Sequence, residues 1–353
     1  DGPVWSPDGS DLWVRGPTRG TVQVFEASAT GDGVRQVTEG VHDYTSITPA
    51  TFDGETVLLA TRRSMSAPVD IFRLDPVSGE AVALTDENSA LLAGMTLGKV
   101  EERIVRAKDG KEILTWVIYP PDFDPSRRWP VLLYAKGGPQ GPMSQSFSYR
   151  WNFQLMAANG YVVVAPNRRG TSGFGQAWEE AISEDWGGGA MDDLLRAIDD
   201  VAAEPWADEN RLGAIGASYG GYSVFWLAGN HEKRFKTFVA HAGVFNLESM
   251  YGATEELFFV NFDLGGPYWD TPRPASYDLH SPHKFVQNWD TPILIIHGQQ
   301  DFRVPVTEGM QAFTAAKLKG LDARLLYYPD EGHWILSPQN GVLWHRIFFD
   351  WLG

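Results

Sequence analysis

Gly216-Ala217-Ser218-Tyr219-Gly220 sets a serine among small residues, the composition that lets a chain turn sharply from a strand into a helix with a hydroxyl at the corner. A serine hydroxyl is a poor nucleophile at neutral pH, so it needs a base to take its proton and an acid to hold that base. On this kind of turn the three follow in the order Ser, Asp or Glu, His. Asp301 follows an apolar run at 292–297 through Gly298-Gln299-Gln300, and His333 follows a run at 324–328 through Pro329-Asp330-Glu331-Gly332. Both sit where a parallel sheet places its functional groups, at the carboxyl ends of strands. His241, His280, His283 and His297 have weaker contexts as the base. Asp290 lies before a strand and Asp330 crowds the histidine loop, so Asp301 is the better acid. The expected set is Ser218 as nucleophile, His333 as base and then acid, and Asp301 fixing the imidazole tautomer, a chemistry that calls for no metal and no cofactor.

Acyl transfer also needs two donors for the developing oxyanion. The backbone N–H of Tyr219 is the first. Lys136-Gly137-Gly138-Pro139, after the run at 131–135, offers the second, with Gly138 favoured because paired glycines let backbone approach a substrate closely. The bland alternative for this segment is a plain tight turn.

The elements that must position these groups read as alternating strands and helices from about residue 104 onward. Short apolar runs at 113–119, 131–135, 161–165, 212–215, 237–240, 293–296 and 325–328 are the pattern of strands buried on both faces. Residues 190–203 place Met191, Leu194, Leu195, Ile198 and Val201 three and four apart, a helix that Pro205 ends. Its opposite face carries Asp192, Asp193, Asp199 and Asp200 and reads as solvated surface. The first hundred residues differ. Val24-Phe25 matches Ile71-Phe72 and residues 34–38 match 81–85, each pair 47 residues apart, with turns at Asp8-Gly9, Asp53-Gly54 and Ser78-Gly79. That period suggests β-propeller blades, about two of them, against the alternative of a small meander. The expected organisation is therefore a partial propeller over 1–103 and an α/β domain, a mostly parallel sheet with helices on both faces, over 104–353.

Composition narrows the function classes. A formal charge of −16 repels phosphate backbones and anionic lipid heads, so nucleic acid and membrane surfaces are not expected partners. The absence of cysteine removes disulfides, thiolate metal sites and a cysteine nucleophile, yet fits any redox compartment. With 43% hydrophobic residues over 353 positions the chain can bury a large core. It begins at Asp1 without a basic and apolar leader pattern, which reads as a cut start. Two blades cannot close a ring, so further blades are expected outside this chain.

Residues 134–142, Asn167-Arg168-Arg169-Gly170, 216–222, 297–305 and Glu331-Gly332-His333 together resemble the prolyl oligopeptidase family of serine peptidases, and within it the dipeptidyl peptidase 5 type. The resemblance is strong over 104–353 and only stylistic in the blades. It implies an α/β-hydrolase domain joined to a propeller that admits short peptides, with a periplasmic or secreted setting favoured and a homodimer left open. It implies that Arg303 binds a substrate carbonyl. It also implies that Tyr219, Val244, Phe245, Leu247, Met250, Tyr251 and Val304 line the pocket for the side chain before the scissile bond. Such a lining is apolar and should favour hydrophobic residues without requiring proline. Lys136 stands where members often carry His or Tyr. The implied reaction is release of dipeptides from free N-termini through an acyl-enzyme. Glu255, Glu256 and Asp263 are in-domain candidates for the substrate amine, and Glu101-Glu102 reads as solvated connector. An acylaminoacyl peptidase or carboxyl esterase would share the same catalytic residues, and an inactive binding protein that uses a propeller surface for a partner is the reading from another class.

Overall fold

The computed structural model describes residues 2–31 and 33–353; Asp1, the first residue of the expected propeller segment, lies outside them. Every buried-type run becomes a strand within a few residues of where its pattern puts it. Six of these strands are parallel. Their spatial order is Ala323–Tyr328, Ile293–Gly298, Thr237–His241, Ala207–Ala217, Trp129–Ala135 and Val162–Pro166, after which Glu112–Ile118 and Val100–Arg106 extend the sheet antiparallel. From Trp129–Ala135 the chain steps to Val162–Pro166 on one side, then crosses back to Ala207–Ala217 on the other. A crevice opens at such a reversal, beyond the carboxyl ends of the two diverging strands.

Each face of this sheet is covered because its strands are apolar on both sides. One face packs against Gly189–Ala202 and Tyr219–Asn230, with Met191, Leu194, Ile198, Val224, Phe225 and Leu227 all buried. The other packs against Phe153–Ala158 and the terminal helix Pro338–Leu352 through Met156, Trp151, Trp344 and Phe348. The acidic face of Gly189–Ala202 is not uniformly solvated. Asp193 is fully buried and takes hydrogen bonds from Arg169 N and Nε at 2.8 Å and from Arg169 Nη2 at 2.9 Å. Helical periodicity cannot reveal this, because the partner comes from a loop 24 residues away.

The first sheet is antiparallel within two four-stranded units. One comprises Val4–Trp5, Asp11–Thr18, Thr21–Ser28 and Val34–Gln36; the other Asp43–Phe52, Glu55–Ser64, Ala67–Leu74 and Ala81–Ala83. A single parallel pairing, Val22 with Asp43, joins them. The repeat seen in the residues is a repeat of hydrogen bonds. Phe25 faces Gln36 as Phe72 faces Ala83. Thr38 Oγ1 accepts from Val24 N at 2.9 Å, and Thr85 Oγ1 accepts from Ile71 N at 2.9 Å.

The boundary expected at 103/104 falls inside the strand Val100–Arg106, so the change from one sheet to the other lies earlier, between Ala83 and Val100. Glu101 and Glu102 are therefore strand residues rather than connector. An edge strand with one partner carries few apolar side chains, which hides it from a pattern search. The two sheets are tied by Asp43. Its buried carboxylate accepts from Ser144 Oγ at 2.7 Å, Gln145 N at 3.2 Å and Val22 N at 3.0 Å. Burial pushes that carboxyl upward, and the Ser144, Arg63 and backbone contacts oppose the rise.

Candidate active site

Ser218 stands at the crevice, immediately after Ala207–Ala217 and before the helix Tyr219–Asn230, with φ 60° and ψ −125°. A non-glycine residue held there costs about 1–3 kcal/mol, so the surroundings must over-determine it. They do. Ser218 N donates to His241 O at 2.9 Å, and a Cβ at Gly220 would lie 2.1 Å from Ala135 O. Only glycine at 220 lets the helix start this close to the neighbouring strand.

His333 and Asp301 meet at the next strand ends. His333 Nδ1 lies 2.6 Å from Asp301 Oδ2, while Asp301 Oδ1 accepts from Arg303 N at 3.1 Å and Val304 N at 2.9 Å. Burial works to raise the Asp301 carboxyl, but the His297 and His333 contacts outweigh it and hold it at about 2. An ionised Asp301 commits Nδ1 to carry hydrogen and leaves Nε2 as the basic nitrogen. Among the described residues no hydrogen bond joins Ser218 Oγ to His333, a contact that in serine enzymes is often long until substrate binds. The competing residues have other partners. His297 Nε2 lies 2.8 Å from Val304 O, His241 Nδ1 accepts from Trp344, His283 pairs with Ser281, and Asp290 pairs with His231.

Two backbone donors border the serine. Tyr219 opens a helix, so its N–H has no partner within that helix. Gly137 and Gly138 follow Trp129–Ala135, whose Ala135 is in register with Gly216, and both line the same cleft as Ser218. A Cβ at Gly137 would lie 3.5 Å from Ser218 Cβ, and Gly138 has φ 130°, so this approach needs glycine twice. Lys136 beside them is lowered to about 8 by burial and by the charge of Arg168.

The cleft measures about 370 Å³ and is walled by Tyr134, Trp151, Phe259, Trp334, Arg150, Lys136, Arg303 and Glu256. Arg303 pairs with Glu256 at 3.1 Å and Glu255 at 3.5 Å. Asp263 is removed from the amine candidates: it is fully buried and holds Trp186 Nε1 at 2.6 Å, Ser183 Oγ at 2.9 Å and Gln140 Nε2 at 3.1 Å. The residues expected as the apolar lining lie behind the open part of this cleft. Val244, Phe245, Leu247, Met250, Tyr251 and Val304 are buried core side chains and none of them walls this cleft; Phe245 borders a separate cavity with Met310 and Leu318. The Tyr219 side chain points into the same core, its hydroxyl on Trp186 O at 2.7 Å. Apolar character alone cannot separate core from wall in a chain this aromatic. Arg150 and Trp334 were missed, although each adjoins a motif residue, Trp151 or His333.

The Prolyl oligopeptidase family matches residues 146–353. Dipeptidyl-peptidase 5 of Porphyromonas gingivalis is 48% identical over 350 residues, covering 99% of this chain and 51% of the relative. Dipeptidyl-peptidase 5 of Aspergillus fumigatus is 33% identical over 357 residues, covering 100% and 49%. The chain thus spans about half the length of the curated relatives it matches. Among solved structures, the Pyrococcus horikoshii acylaminoacyl peptidase superposes with a TM-score of 0.86 at 23% identity, over 97% of this chain and 54% of that one. Porphyromonas gingivalis dipeptidyl peptidase 4 superposes with a TM-score of 0.82 at 21% identity, over 99% and 48%. These structures share the fold of this chain.

Proposed function

Since this chain belongs to the prolyl oligopeptidase family, we propose that it carries the hydrolytic centre of a serine dipeptidyl peptidase, with Ser218, His333 and Asp301 as its triad. The observation that carries the reading is the 2.6 Å contact of His333 Nδ1 with an ionised Asp301, set at strand ends beside a serine in a strained turn. His333 Nε2 takes the Ser218 proton as Oγ attacks the peptide carbonyl. The N–H groups of Tyr219 and Gly138 receive the oxyanion. His333 then protonates the departing amine, and water repeats the sequence to release the acyl group as a dipeptide. Arg303, in the cleft wall, meets a carbonyl of the acyl part.

Short peptides with a hydrophobic residue before the scissile bond fit walls made of Tyr134, Trp151 and Phe259, where among the described residues Glu256 is the one carboxylate and already faces Arg303. The two four-stranded units at 4–83 are read as propeller blades, supported by their repeated register and repeated threonine contacts. The test compares kcat/KM for a free-amine dipeptide aryl amide, its N-acetylated partner and a simple aryl ester. Preference for the free amine supports the reading. Preference for the acetylated substrate would identify an acylaminoacyl peptidase, preference for the ester an esterase, and failure to react with a fluorophosphonate would rule out hydrolysis by Ser218 altogether.

A further inference from the structure

Arg150 is a cation in the cleft wall that no carboxylate of the described residues pairs with. Its one hydrogen bond runs from Nη1 to Trp334 O, and its guanidinium lies 5.5 Å from the Trp334 ring centroid. The other charged groups of the wall are differently placed: Arg303 faces Glu255 and Glu256, and Lys136 Nζ donates to Gly137 O at 3.1 Å. Burial lowers the Arg150 guanidinium to about 10. A half-desolvated guanidinium without a counter-charge is unfavourable, and it is unexpected in a chain of net charge −16 where acids are plentiful. Its planar fork suits one ligand chemistry above others, a carboxylate held by two parallel N–H donors.

Position says which part of a substrate would bring that carboxylate. Trp334 follows His333 and its ring packs edge-on against the imidazole, with centroids 4.8 Å apart. The departing amine takes its proton from His333, so the leaving segment lies on the His333–Trp334 side of Ser218. Arg150 and Trp334 are also shared with a neighbouring cavity of about 680 Å³, bordered by Tyr149, Ile335, Leu336 and Val342. This cavity belongs to the sheet face covered by the terminal helix, opposite the face that holds Val244, Met250 and Tyr251. We infer that Arg150 binds a carboxylate of the leaving peptide, its C-terminus when the leaving group is one or two residues long, with the apolar cavity taking the adjoining side chain. The inference rests on the peptidase reading above and adds to it a length preference, for tri- and tetrapeptides with free C-termini.

The experiment uses the chain as described, with Gly-Phe-Ala as free acid, Gly-Phe-Ala amide and Gly-Phe-Glu amide, following release of Gly-Phe. A charge-assisted contact of the usual strength gives a free-acid to amide ratio in kcat/KM of roughly 10 to 100. Arg150→Gln should bring that ratio close to one, and Arg150→Lys should keep part of it. A gain confined to the free acid identifies the chain end as the ligand, and a gain confined to Gly-Phe-Glu amide identifies an acidic side chain; either supports the site. Equal cleavage of all three tripeptides by the unaltered chain, or a gain that Arg150→Gln leaves unchanged, would overturn it. Failure to cleave every tripeptide while an aryl ester is still hydrolysed would instead overturn the peptidase reading, and this site with it.

Discussion

The guanidinium of Arg168 lies 4.5 Å from the ring centroid of Tyr219, in a fully buried layer beneath the Ser218 cleft. The same guanidinium donates to Lys136 O at 3.2 Å and Pro139 O at 2.9 Å, on either side of Gly137-Gly138. One side chain thus braces both segments that supply oxyanion donors. Arg168→Met should lower kcat roughly 10- to 100-fold with KM within about threefold, because donor placement matters most in the transition state. Steady-state kinetics on a dipeptide aryl amide checks this; equal losses through KM alone would show that the brace acts only on substrate binding.

Asp301→Asn should cost about 10⁴ in kcat, since an amide cannot hold the imidazole in the required tautomer. The carboxyl also contributes to stability. Its folded value of about 2 lies below the ordinary 3.8, so its contribution is complete above pH 4 and is lost as the pH falls through 2. Urea unfolding of Asp301→Asn against the unaltered chain should show a gap of roughly 2 kcal/mol at pH 6 that closes toward pH 2.

Lys136 gives the same sign of pH dependence in a higher window, although here it is the neutral form that the fold favours. Its folded value of about 8 lies below the ordinary 10.5, so the folded state releases the proton first and stability rises with pH between 8 and 10.5. Losing the cation removes positive charge beside Ser218, so kcat/KM should fall with an apparent alkaline pKa near 8. In Lys136→Met that limb should be absent from the pH profile.

Asp193→Ala should destabilise the fold by about 3–5 kcal/mol, because it strands the Arg169 charge beside a cavity in a buried ion pair. Chemical denaturation measures it. A change below about 1 kcal/mol would mean that Arg169 finds Asp109, 3.3 Å away, as a sufficient substitute.

The parts legible in the residues are those in which neighbours along the chain report on one another. Runs buried on both faces marked the strands, and Ser218, Asp301 and His333 each follow such a run, so their order and placement could be read directly. The 47-residue repeat was legible because Thr38 and Thr85 take up the same bond in each copy. What escaped depends on contacts between distant segments. Asp193 reads as surface along its helix, and only the fold brings Arg169 onto it. Val100–Arg106 escaped because an edge strand needs only one good partner.

Asp43 makes the cleft sensitive to the sheet of repeats. Its carboxylate grips Ser144 and Gln145, and five residues beyond Gln145 the same segment becomes the cleft wall at Arg150. A tilt of that sheet must either break those bonds or pull the segment with it. The repeats are thus mechanically continuous with the leaving-group side of the cleft through residues 144–150, whereas the Ser218 turn is held from within the second sheet by its bond to His241 O.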